Sequence, residues 1–132
     1  MIDQNTHKKI NESLSGTPIK LTEGYSKIRL TTTKEMILDE SGLIHGGFTF
    51  SLADYAAMLA VNHPNVVLTK AEVNFIKPVL LGDTLIAEGM VKNQEGKKSM
   101  VNVIVGNKNN ITVLEGTFIC YSPDQHIIGG GS

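Results

Sequence analysis

Between Gly46 and Asn62 the chain carries one charged residue, Asp54, in a run otherwise built of apolar, small and hydroxyl side chains. Carboxylates are seldom fully buried unless paired, and burial pushes their pKa upward. Asp54 is therefore expected at a cleft or a subunit seam, as a partly solvated group, as one hydrogen-bonded across an interface, or as a general base or nucleophile with a raised pKa. His45-Gly46-Gly47 opens the same run. Two glycines allow close backbone approach, and first-turn N–H groups of a helix have no intrahelical partner. They lie at the positive end of the helix dipole, which suits an oxyanion or a polarised carbonyl. His45 also has a plainer reading, as the cap of that helix. Eight residues separate Gly46 from Asp54, about 12 Å along a helix axis. One small reacting carbonyl cannot touch both on the same helix. A shared site would draw them from different subunits, which predicts a two-fold dimer with two composite sites.

Elements that could hold these groups follow from the pattern around them. A long helix is expected over Gly46 to Asn62, closed by Asn62-His63-Pro64. Its apolar residues lie all round it, with Ala53, Ala56, Ala57 and Ala60 as a small-residue face. A helix apolar on every side is buried on every side. In a chain of 132 residues, only a sheet curled round it plus a partner subunit could provide that cover. Four strand-like runs follow, over 67–76, 84–92, 99–106 and 111–121. In the first, Ala71, Val73 and Phe75 alternate with Lys70, Glu72 and Asn74, as in a half-buried strand. Turns at Pro78 to Asp83, Asn93 to Lys97 and Asn107 to Asn110 are short enough for antiparallel hairpins. Ahead of the helix, 20–32 reads as one strand, and 3–14 as polar and mildly helical before Gly16-Thr17-Pro18. The expected class is α+β, one long buried helix wrapped by a curved antiparallel sheet. Residues 1–132 form a single domain on this reading, with 1–18 a helical, polar N-terminal segment and 123–132 a flexible tail.

Composition narrows the function. Hydrophobic residues make up 41% and charged residues 19%, enough to bury a core. Twelve Lys and Arg against thirteen Asp and Glu leave a net charge of −1, which offers no electrostatic footprint for nucleic acid or an anionic membrane. The first sixteen residues lack the apolar core of a signal peptide, and the most apolar stretch, 43–61, is too interrupted to span a bilayer. A single cysteine, Cys120, can form no internal disulfide and reads as a small core residue in a reducing, cytoplasmic compartment. The four histidines are scattered without ligand spacing, so no metal is expected.

The run HGGFTFSLADYAAMLAVN at 45–62 resembles the signature of the PaaI-type acyl-CoA thioesterases of the hotdog-fold superfamily. AEVNFIKPVLLGDTLIAEGMV at 71–91 resembles that family's strand, proline turn and Gly-Asp hairpin in the same order. The match covers roughly 21–121. It implies hydrolysis of an acyl-CoA thioester to a carboxylic acid and free coenzyme A, with no cofactor beyond the coenzyme A of the substrate. By the same resemblance, Asp54 matches the family's helix carboxylate, base for water or nucleophile through a mixed anhydride. Gly46 matches the residue whose backbone N–H polarises the thioester carbonyl, and His45 the histidine beside it. Thr69 falls near a hydroxyl residue that positions water. Asp39 stands where the family usually carries Asn or Gln to hold the water, and ionised Asp donates no hydrogen bond. Were Asp39 and Asp54 to meet, like-charge repulsion would raise the pair's apparent pKa. Gly47, Phe48, Phe50, Tyr55 and Met58 are the expected substrate-binding wall, open to aryl or medium-chain acyl groups. The family also implies a homodimer, paired further into a homotetramer. Two other readings compete: a non-catalytic acyl-CoA-binding module, for which the chain offers no output domain, and a structural dimerisation domain, which leaves Asp54 without a reason.

Overall fold

Alternation decides the sheet. In β5 (Lys98–Asn107), Ser99, Val101, Val103 and Val105 are buried while Lys98, Met100, Asn102 and Ile104 face out. Its neighbours β4 (Thr84–Glu95) and β6 (Thr112–Tyr121) bury Leu85, Ala87 and Gly89 from one side and Leu114, Phe118 and Cys120 from the other. A period of two places one apolar face against the core. The computed structural model describes residues 1–129. Six strands make one fully antiparallel sheet in the order β1-β2-β4-β5-β6-β3, where β1 is Thr17–Thr22, β2 is Tyr25–Thr31 and β3 is Val67–Phe75.

The long helix, α2 (Gly46–Val61), packs across β2, β4 and β5. Leu52, Ala53 and every residue from Tyr55 to Ala60 are buried. Its small residues let the sheet come close. A Cβ on Gly89 of β4 would lie 2.5 Å from the Ala56 carbonyl oxygen, which also accepts the Ser26 hydroxyl from β2. Asn62 ends the helix in the left-handed region at φ 56°, where Asn is among the best-tolerated non-glycine residues. This is the expected α+β arrangement, one buried helix wrapped by an antiparallel sheet.

Three local expectations need correction. The run read as one strand is a hairpin, β1 and β2, turned at Glu23-Gly24 with Gly24 at φ 74°. The N-terminal segment is helical for one turn only, α1 (Glu12–Ser15), capped by the Asn11 side chain and stopped at Gly16, φ 106°. Residues before it run as an arm that binds the body of the molecule: Ile2 N–H donates to the Leu21 carbonyl, and Asn62 holds the backbone of Asp3 and Asn5. The expected tail from 123 is tied down where it begins. Asn65 Nδ2 donates to the carbonyls of Pro123 and Asp124, and Lys97 pairs with Asp124 at 2.8 Å. Its last residues, 130–132, lie outside the described part of the chain.

Candidate active site

The N-terminus of α2 is built by its cap. His45 is extended at φ −60° and ψ 130°, and its Nδ1 accepts the Gly47 N–H at 2.7 Å. The Phe48 N–H reaches the His45 carbonyl. Gly46 N–H then has no acceptor among the described residues. It opens on an apolar cavity of about 380 Å³ lined by Leu38, Ile44, Thr49, Phe75 and Val79, with Lys77 as its charged member. The Phe75 ring lies 3.3 Å from where a Gly46 Cβ would stand. A free donor at the positive end of a helix dipole can hold a developing oxyanion.

Asp54 lies two turns further on and opens on a different cavity, of about 410 Å³. Thr6 and His7 of the N-terminal arm line it together with Met58 of α2, the segment from Pro64 to Leu68 that leads into the first residues of β3, and His126. Asp54 Oδ1 is buried without a hydrogen-bond partner. Burial without a compensating donor pushes the carboxyl up to about 6. The same desolvation holds His7 below its ordinary value. Cys120, behind the helix, is pushed up to about 12, first by burial and then by the Asp54 charge. That thiol is no nucleophile. A carboxylate held near neutrality in a cavity is suited to accept a proton or attack an electrophile.

Gly46 and Asp54 thus belong to separate cavities of one protomer. The other candidate residues divide likewise. Asp39 sits in an exposed loop, where its carboxylate accepts the N–H and hydroxyl of Ser41. Those bonds lower its pKa, the reverse of the shift expected for a carboxylate pair. Thr69 lies at the irregularity in β3 between Leu68 and Lys70, its hydroxyl donating to the Ile119 carbonyl. Met58 lines the Asp54 cavity. Tyr55 is buried and points its hydroxyl to Gln4, 3.1 Å from Nε2. Phe50 packs on Phe118, Phe48 lies edge-on to His45, and Gly47 is exposed beside that ring. Thr6, His7, Asn65 and His126 were not singled out as site residues by type or spacing. The arm reaches the cavity through bonds between distant positions, and no periodicity marks it. Among the described residues no three His, Cys, Asp or Glu side chains are grouped to hold a metal ion, and no helix is long and apolar enough to cross a membrane.

The family model described as the thioesterase superfamily matches residues 41–113, from the loop before α2 to the start of β6. Over 117 residues the chain is 50% identical to a protein of Aquifex aeolicus named methylthioribose-1-phosphate isomerase, which covers 89% of this chain but 25% of that protein. The chain therefore spans about a quarter of the length of that relative. It is 30% identical over 114 residues to the acyl-coenzyme A thioesterase PaaI of Escherichia coli, covering 85% of this chain and 77% of that one. Among solved structures, an uncharacterized protein from Pyrococcus horikoshii superposes with a TM-score of 0.94 at 52% identity, over 96% of this chain and 97% of the other.

Proposed function

Since the chain belongs to the thioesterase superfamily, we propose that it is a thioester hydrolase, cleaving an acyl-coenzyme A to a carboxylic acid and free coenzyme A. The observation that carries this reading is Asp54, which lines a cavity and whose carboxylate has a buried, unpartnered oxygen and a pKa near 6. At neutral pH it is ionised and ready. Acting as base, it takes a proton from water as the water oxygen attacks the thioester carbonyl. The tetrahedral intermediate then expels the thiolate, which leaves as the thiol after gaining a proton. Acting as nucleophile, it attacks the thioester carbonyl and breaks its C–S bond, expelling the coenzyme A thiolate and leaving a mixed anhydride that water cleaves to the carboxylic acid and free Asp54. In either route negative charge gathers on the carbonyl oxygen, and the free Gly46 N–H of the facing subunit is the donor aimed at it.

A dimer is part of the proposal because one protomer cannot supply both groups to one carbonyl. Strand β3 supports it. The strand is an edge of the sheet, nine residues long, with Phe75 57% exposed at its end and Ile76 43% exposed beyond it. A long unpaired edge of this kind is a template for pairing with another chain. A second copy laid antiparallel on β3 would extend the sheet and cover both side chains. Exposed Met90, Met100 and Ile104 on the outer sheet face support further pairing into a homotetramer. Within this reading, His45 orients the turn, Asp39 of the loop before α2 approaches the partner's cavity, and Thr69 places water at its rim. Gly47, Phe48, Phe50 and Tyr55 frame the composite cleft, and Met58 meets the acyl group. The buried Cys120 thiol suits a reducing, cytoplasmic setting. No cofactor is needed beyond the coenzyme A of the substrate.

One observation favours a second reading, non-catalytic binding of acyl-CoA. Asp39 and Thr69, the expected water holders, are both engaged by local partners. Thiol release from acetyl-, hexanoyl-, lauroyl-, benzoyl- and phenylacetyl-CoA separates the two. For the best substrate, Asp54→Asn should lower the rate by about 10²–10⁴-fold with folding intact. Equal background rates in both proteins, with acyl-CoA still bound, would replace the hydrolase by the binding module.

A further inference from the structure

Part of the wall of the Asp54 cavity comes from neither α2 nor the sheet. It is Thr6 and His7 of the N-terminal arm, and the arm is fastened there by specific bonds. Asn62 clamps it twice, Oδ1 accepting the Asn5 N–H and Nδ2 donating to the Asp3 carbonyl, each at 2.8 Å. Gln4 Nε2 reaches the Tyr55 hydroxyl and the Thr6 carbonyl. Thr6 is 5% exposed, and its hydroxyl lies 2.8 Å from His7 Nδ1. His7 itself is held at φ 55°. For a non-glycine residue that conformation persists only where the surroundings impose it, as they do at ligand clamps.

From this geometry we infer that Thr6 and His7 are the residues that limit acyl length, as the end wall of the pocket that starts at Asp54; the inference rests on the thioesterase reading for the nature of the ligand. An acyl group whose carbonyl lies at Asp54 shares that cavity with Met58, Val66, Leu68 and the arm. About 410 Å³ is at the small end of ligand sites, which span roughly 300–1,000 Å³. Because the arm is fixed in place there, the room left for an acyl group depends on Thr6 and His7.

Binding of two non-hydrolysable thioethers, S-hexyl-CoA and S-dodecyl-CoA, tests this without any turnover. His7→Gly removes the ring and suits the left-handed backbone. It should shift the ratio of the two dissociation constants at least about tenfold toward the dodecyl compound, the scale on which pockets discriminate chain length. Asn62→Gly keeps the left-handed helix end while releasing the arm, and should move the ratio the same way; it decides the matter if the first variant does not fold. A ratio equal to wild type in a folded variant overturns the inference, as does a wild-type protein that binds neither thioether. Tight thioether binding with background hydrolysis would instead overturn the thioesterase reading and leave the arm's role to be read from the ratio.

Discussion

In the proposed mechanism Asp54 carries the chemistry, and its burial weakens the fold. Its carboxyl titrates near 6 in the folded chain, above the ordinary value of 3.8. A raised acid pKa means that the unfolded state holds the charge more easily, so stability falls as pH rises from about 4 to about 6 and stays lowered above. Asp54→Asn should therefore raise the melting temperature at pH 7, by up to roughly 3 kcal/mol of stability, while removing activity. The pH profile of kcat/KM should climb through an apparent pKa near 6 and level off, since only the ionised form is competent; a flat profile from pH 4 to 8 would count against Asp54 as the reacting group. His45 acts on the backbone. Its Nδ1 holds the Gly47 N–H, so His45→Ala should cost about 1 kcal/mol in urea denaturation, and His45→Asn should recover it. Asp54 and Gly46 were legible in the sequence because a lone charge and a glycine pair stand out on an apolar helix. His7 was not, since the arm that brings it is placed by Asn62 and Tyr55, side chains more than forty residues away.

The helix and the strands were readable for the same physical reason, a regular period bounded by breakers. Asn62 and Pro64 ended α2, and short polar turns separated β3, β4, β5 and β6. The hairpin of β1 and β2 escaped because a two-residue turn at Glu23-Gly24 leaves little break in a strand-like run. The N-terminal arm escaped because its polar run with Gln and Lys suits a helix, whereas its backbone bonds are made to Leu21 and Asn62. At this scale the tightest constraint is where β4 meets α2. Gly89→Ala would press a methyl group to 2.5 Å from the Ala56 carbonyl oxygen. The helix cannot retreat without opening the core behind it, so the substitution should destabilise by about 1–3 kcal/mol or more. Denaturant midpoints of the purified variant measure this, and an unchanged midpoint would mean that helix and sheet are less closely seated.

At the scale of the whole molecule, the proposed mechanism requires two copies to complete each other's site. Sedimentation at micromolar concentration should find dimers or tetramers and no free monomer. The decisive measurement mixes two defective chains. Asp54→Asn lacks the base, and Gly46→Pro lacks the oxyanion donor. Proline suits the first position of a helix, and His45 already has the extended backbone that precedes a proline. Each variant alone should be nearly inactive. When the two are co-expressed, mixed dimers carry one site with both defects and one with neither, so random pairing should restore about a quarter of the wild-type activity. Mixed dimers that form in that proportion, yet show no activity above the separate variants, would contradict a site shared between subunits.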